Sequence, residues 1–173
     1  RAAEFLLENG TNLQRQRYSF HFEGAGADLV LAALGEYQND DGGFGSGLEQ
    51  DLRTKNSSVI CTTVALQIME ETRLESENQP LRQAINFLEQ QYQFNNWPNI
   101  GSNCNDAPHA PWWKFDNEWA SGDRFLANPG AEVLGYLLQH NTKLGTETIR
   151  SLLERALGHL AQNDLEMHEL LCY

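Results

Sequence analysis

The chain has 173 residues, 40% of them apolar and 10% aromatic, which is enough for one domain with a real core and too apolar for a disordered segment. Its formal charge is −12, and Arg15 with Arg17 form its one small basic cluster, so neither a nucleic-acid backbone nor an anionic membrane suits it as a partner. The apolar runs are short and broken by polar residues, which excludes a membrane-spanning helix.

The bland meaning of the acidity is solubility. Cys61, Cys104 and Cys172 stand far apart, with neither a disulfide framework nor a CxxC pair, and a reducing, cytoplasmic compartment is the expectation. The start at Arg1 without a basic-then-apolar leader suits a processed or trimmed N-terminus.

Helical periodicity dominates in chain order. Ala2, Phe5 and Leu6 open a short helix that stops near Asn9-Gly10. Tyr18-Ser19-Phe20-His21-Phe22 alternates and reads as one short extended segment. Asp28 to Tyr37 carries Val30, Ala33, Leu34 and Tyr37 at helical spacing. Ser57-Ser58 can cap a helix to about Glu71 that is apolar on more than one side, the mark of an inner, buried helix. Pro80 suits the first position of a helix through Leu81, Ile85, Leu88 and Tyr92. Asn128-Pro129 is a start signal for Val133 to Leu138, Thr146 or Thr148 can cap Ile149 to Leu160, and Asp164 opens a last helix from Leu165 to Tyr173. The class is all-α, one domain over residues 1–173. Residues 39–56 and 95–128 are long non-helical segments, which inside a compact domain are usually functional or structurally specialised.

Tyr37-Gln38-Asn39-Asp40-Asp41-Gly42-Gly43-Phe44-Gly45 ends the second of these helical runs. The amide and acids can bond free backbone groups, the glycines permit a left-handed backbone, and Phe44 can plug back into apolar packing. Ala33 to Phe44 can be laid over Ile85 to Trp97, with one extra residue in the second copy and Asn95-Asn96 in place of the glycines; Val133 to Gln139 begins a third copy without the tail. The copies start about fifty residues apart, the length of a helical hairpin with its loops.

This string, the helix-pair period and the Ser-capped helix resemble the QW-type repeat of the terpene cyclase and protein prenyltransferase β-subunit superfamily. The resemblance covers roughly residues 26–140 and implies an α/α toroid. Leu48 to Arg53 and Asn105 to Trp113 look like bacterial toroid-like proteins rather than any enzyme of known activity. About three to four helical hairpins are countable, fewer than a closed toroid needs. The expectation is a partial toroid, a fragment of a larger one, or a protomer closed by homo-oligomerisation through its open helical edge, because bare apolar helix faces rarely stay uncovered.

The superfamily's cyclases use an Asp-x-Asp-Asp acid, which is absent; Asp40-Asp41 read as turn acceptors. Its prenyltransferases hold zinc with Asp, Cys and His. Cys104, Asp106 and His109 supply those ligand types in reverse local order, without a fourth ligand, so zinc is not expected and no cofactor is assigned. Glu49 and Asp51, near Arg53, follow the Gly-rich turn; two carboxylates beside an Arg can bind a polar group or share a proton, or simply tie the loop. His21 and Glu23 would share one side of an extended stretch, as an acid/base pair or as a local hydrogen bond. Trp112, Trp113 and Trp119 with Phe115 crowd one loop beside His109, Asp116 and Glu118, as a ligand platform or as packing.

The candidate set is therefore Asp51, Glu49 and His109 for catalysis, and Arg53, Trp112, Trp113, Trp119, His21 and Glu23 for substrate. Three functions remain open. The first is a cyclase- or prenyltransferase-like enzyme with an isoprenoid-type substrate in an aromatic, acid-lined cavity. The second is a carbohydrate-active α/α barrel using paired carboxylates drawn from Glu49, Asp51, Asp106 and Glu118. The third is a non-catalytic toroid fragment that binds a protein. Fold alone does not choose among them.

Overall fold

The computed structural model describes residues 1–73, 78–115, 125–162 and 164–173. Among them are eight α-helices: α1 Ala2–Asn9, α2 Asn12–Phe22, α3 Ala27–Gly35, α4 Val59–Glu71, α5 Gln79–Gln90, α6 Ala127–Gln139, α7 Thr146–Leu160 and α8 Met167–Leu170. No β-strand occurs among the described residues, only isolated bridges; the class is all-α. None of the described helices is long and apolar enough to cross a membrane.

Several helices begin where side chains satisfy the orphan backbone donors of a first turn. Thr11 opens α2 with a reciprocal capping box: its hydroxyl accepts from the Gln14 N–H, and the Gln14 side chain accepts from the Thr11 N–H. That box carries the helix through Tyr18–Phe22, which is therefore helical and not extended. Tyr18 and Phe22 are an i,i+4 ring pair with centroids 5.2 Å apart; an alternation of five residues fits both periods, and the upstream cap decides. Ser58 caps α4 through the Cys61 N–H, as the sequence predicts. Neither Thr146 nor Thr148 caps α7, which starts on Gly145. Glu166, not Asp164, caps α8, and this last helix spans only Met167–Leu170.

The helices pack as successive hairpins, α2 on α3, α4 on α5 and α6 on α7, and α6 also packs on α4, α5 and α8. Helix α4 buries Val59, Cys61, Thr62, Thr63, Ala65, Leu66, Ile68 and Met69, the inner position its two-sided apolarity predicts.

The 37–45 segment joins three of these helices. Gln38 donates to the carbonyls of Gly42 and Pro80, at 3.0 Å each, tying the end of α3 to the start of α5. Asn39 donates to the Lys55 carbonyl and to the Ser57 hydroxyl. One Asp41 carboxylate oxygen accepts from the Gly43 N–H at 2.9 Å and the Ser57 hydroxyl at 2.7 Å. The Phe44 N–H donates to the Thr62 hydroxyl on α4, its carbonyl accepts from the Ser58 N–H, and its ring is fully buried. Gly42 has φ +86°, and a Cβ there would stand 2.6 Å from the Gln83 carbonyl oxygen, so both backbone conformation and the approach of α5 require glycine.

The echo of this joint follows α5 in a different register. Tyr37-Gln38 and Tyr92-Gln93 each come directly after a helix C-cap, Glu36 and Gln91. Gln38 bridges Phe44, and Gln93 bridges Asn96. With the Tyr-Gln pairs equated, the buried aromatic lies six positions after Gln38 but four after Gln93, so the second turn is shorter, not one residue longer. Phe94 and Asn95 take the positive φ angles, +51° and +58°. Trp97 is fully buried and donates from Nε1 to the Leu88 carbonyl at 2.8 Å.

Two substitutions test the joint by chemical denaturation. Phe44→Ala is expected to cost about 3–5 kcal/mol of stability, as a buried aromatic truncation does. Gly42→Ala, which adds one carbon, is expected to cost about 1–3 kcal/mol from backbone strain alone, with the contact against Gln83 added.

Candidate functional site

Two loops about a third of the chain apart meet beside α4. Leu52, fully buried, forms an antiparallel bridge with His109. The Arg53 N–H donates to the Pro108 carbonyl at 2.9 Å, and the Ala110 N–H donates to the Asp51 carbonyl at 2.8 Å. This stitch carries Glu49 and Asp51 to the segment that holds Trp112 and Trp113, which lie in a 3-10 turn over Pro111–Trp113.

A cavity of about 760 Å³ opens there. Glu49, Asp51, Trp112 and Trp113 form its loop side. Helix α4 contributes Ile60, Val64 and Gln67, helix α6 contributes Asn128 and Glu132, and Asn99 comes from the loop after Trp97. The far wall is His168 of α8 with Leu171 and Cys172 just after it. That wall is moored by His159 of α7, which is buried, its Nδ1 3.1 Å from the Tyr173 hydroxyl and its Nε2 3.6 Å from the Glu169 carboxylate.

Two further cavities adjoin. One of about 510 Å³ shares Glu49, Asp51 and Val64 and adds Leu13 and Arg17 of α2 with Arg53. The other, of about 580 Å³, shares Gln67, Glu132, Leu171 and Cys172. Residues of α2, α4, α6 and α8 thus line three cavities that share their walls.

Glu132 is the most perturbed carboxyl of the site. Burial pushes its pKa up, Glu70 adds to that push, and hydrogen bonds from Gln67 and Tyr136 oppose it. Gln67 Nε2 donates to Glu132 Oε1 at 2.7 Å. The Tyr136 hydroxyl stands 3.3 Å from the same oxygen and 3.4 Å from Glu70 Oε2. Burial first, then the two flanking carboxylates, hold that phenol well above its usual range, so it stays a donor. A phenol has one hydrogen and two carboxylates face it, so at any moment it donates to Glu132 or to Glu70 and leaves the other to repel it.

The remaining sequence candidates lie elsewhere. The His109 ring is held by the Ala107 carbonyl, with Nδ1 at 2.7 Å, and does not line the cavity. His21 and Glu23 do not pair: His21 lies 3.4 Å from Glu71, which also takes a two-pronged bond from Arg17, while Glu23 accepts from the Ser19 hydroxyl at the end of α2. His21 faces α4 while Glu23 bonds only within the end of α2, and the expectation of one shared side rested on an extended segment that is in fact helix. Cys104 is buried and its thiol faces Asn103, while Asp106 is exposed. Among the described residues no three His, Cys, Asp or Glu side chains group as metal ligands. Trp119, Asp116 and Glu118 lie outside the described residues. Cys172 faces the cavity, but burial, then Glu132 and Glu169, push its thiol up to about 12, so it is protonated at neutral pH and is no ready nucleophile.

The sequence reading missed Glu132, Gln67 and Asn99. No local signal marked them: Gln67 is exposed on α4 and Glu132 half-buried on α6, and their meaning lies in the bond between the two helices. Comparison with protein-family models, with curated proteins and with solved structures finds no match to this chain.

A raised carboxyl pKa favours the protonated form in the folded state. Its stabilising contribution is fully present below the unfolded pKa and is lost as pH rises through the folded one. Glu132→Gln keeps an acceptor for Gln67 and carries no charge. Its melting temperature is expected to match that of the wild type near about pH 4 and to exceed it by a few degrees near about pH 8, each kcal/mol being worth roughly 2–4 °C at this chain length. Thermal melts across that range check it.

Proposed function

We propose that this chain is a partial α/α toroid whose inner cavity binds a hydroxyl-rich ligand and cleaves it by acid–base chemistry, as a carbohydrate-active protein. The toroid reading is supported by the run of hairpins α2/α3, α4/α5 and α6/α7, by the inner position of α4, and by the joint repeated after α3 and α5. The substrate reading is carried by one observation: a single cavity brings Glu132, held toward its acid form, together with Asp51, Glu49 and two tryptophans. Three carboxyls beside two tryptophans favour a sugar, which offers both hydroxyls and a ring face.

The roles divide by environment. Glu132 is the general acid: it gives its proton to the departing glycosidic oxygen as the bond from that oxygen to the anomeric carbon breaks. Asp51 is the base and takes a proton from the water that attacks that carbon. Glu49 accepts from the Asp51 backbone N–H at 3.4 Å and holds the loop that presents Asp51. Trp112, 62% exposed, is a platform at the rim against which a sugar face can stack.

Reducing-end release from a panel of oligosaccharides is the measurement. Glu132→Gln and Asp51→Asn are each expected to lower kcat by about 10²–10⁴ with the fold intact by circular dichroism. Full activity in Glu132→Gln, or no cleavage of any glycan in the panel, overturns the reading.

A further inference from the structure

The central cavity does not end at its carboxyls. Each of its two neighbours meets it along side chains that both line. Toward α2 the boundary is Glu49, Asp51 and Val64; toward α7 it is Gln67, Glu132, Leu171 and Cys172. Asp51 and Gln67 are exposed, and Leu171 is 76% exposed. A boundary whose members stand in solvent is a ridge that a ligand can cross, not a sealed partition. Asp51 thus lies on one ridge and Glu132 on the other.

Volume adds to this. The three cavities measure about 510, 760 and 580 Å³ in that order from α2 to α7. Each alone falls in the range of about 300–1,000 Å³ that takes a small ligand. A single sugar held between Asp51 and Glu132 leaves both neighbours untouched.

We propose that the ligand is a chain lying across all three cavities, so that the bond broken is internal to it. The class of ligand rests on the carbohydrate reading of the site; the length of the ligand and the position of the cleaved bond go beyond it. The outer cavities offer groups that a sugar chain uses. Tyr37, Gln50 and Arg53 supply hydrogen-bonding ends on the α2 side, and Gln139, Tyr173 and Leu157 supply polar ends and an apolar face on the α7 side. A site that trims one chain end needs a wall just past the cleaved bond. Here space continues past both carboxyls, so units on either side of the bond have somewhere to lie. Hydrolysis there adds a hydroxyl from water to the anomeric carbon and a proton to the departing oxygen, and both fragments are themselves chains.

Two substitutions shorten the groove from its ends and leave its centre alone. Gly135 of α6 lines the α7-side cavity but not the central one, and a Cβ built there meets nothing within 4 Å. Gly135→Phe fills that cavity, and replacing a glycine inside a helix is expected to keep or raise the melting temperature. Gln50 is exposed and lines the α2-side cavity but not the central one, so Gln50→Trp fills the other end.

Isothermal titration of the full chain with gluco-, xylo-, manno- and galacturono-oligosaccharides, each as disaccharide and hexasaccharide, reads the binding. The Glu132→Gln protein is the reference, which keeps turnover out of the measurement, and each filling is added to that background. In at least one series the hexasaccharide is expected to bind about tenfold tighter than the disaccharide, a difference of about 1.4 kcal/mol. Each filling is expected to lower the hexasaccharide affinity about threefold, half of that free energy for each end, and to leave the disaccharide affinity unchanged. The wild-type chain is expected to cut an end-labelled hexasaccharide at internal bonds. Equal affinity at both lengths, or a hexasaccharide affinity that ignores either filling, overturns the proposal. Release of single terminal units overturns it too, while leaving the carbohydrate reading in place. Length-dependent binding weakened by both fillings, without cleavage by the wild type, sustains the groove and sinks the catalytic reading. No binding by any of these glycans sinks both.

Discussion

The fold hangs on how the chain leaves α3. A helix end exposes carbonyls without partners, and an entering helix exposes N–H groups; where the two are buried together, both sets must be met by something other than water. The chain meets the α3 carbonyls with its own backbone, the Tyr37 and Gln38 N–H groups donating to Leu34 and Gly35, and the Gln38–Phe44 turn then ties the neighbouring helices with side chains. Gln38 reaches a carbonyl in the first turn of α5, Asp41 and Asn39 hold Ser57 just before α4, and Phe44 is bonded through its N–H to Thr62 inside α4. One short segment thereby sets the relative placement of three helices. The acids of Asp40-Asp41 that invite a catalytic reading belong to this joint, where Asp41 is an acceptor for Gly43 and Ser57.

The site is a consequence of that placement. Once α4 is fixed at the centre, Gln67 on α4 meets Glu132 on α6 at 2.7 Å, and the loop after Phe44 is free to run across α4 and pair with the loop at His109. The Leu52–His109 bridge then turns Glu49 and Asp51 toward the cavity. His109 is the residue most visible to a search for catalytic side chains, yet its ring is tied to its own loop and its backbone does the useful part. The electrostatic asymmetry follows from burial: Glu132 lies half-buried on the helical wall and is pushed up, while Asp51 sits exposed on the loop. Two carboxyls in unlike environments are what acid–base chemistry requires.

Helices were legible where local chemistry decides them. Ser58 as a cap, the break at Asn9-Gly10, and the two-sided apolarity of α4 each act within a turn or two of chain, so the residues themselves announce them. Tyr18–Phe22 was not legible, because five residues satisfy either period and the deciding cap lies upstream at Thr11. The repeat was visible in composition but not in register: both turns contain Tyr-Gln and end on an aromatic, and only the positions of the helix C-caps say which residues correspond. Of the site, Glu49, Asp51, Trp112 and Trp113 could be picked out as chemistry-bearing types in long loops. Glu132, Gln67 and Asn99 could not, since their meaning comes from partners tens of residues away.

By itself, then, the sequence determined the helical class, the positions of the inner helix and its caps, and the structural use of the Asp40-Asp41 turn, because propensity, capping and periodicity are local. Only the tertiary structure decided which carboxyl is half-buried beside a second one and which loops share a cavity. Those are properties of the space between elements, set by how helices pack, and no window of sequence contains them.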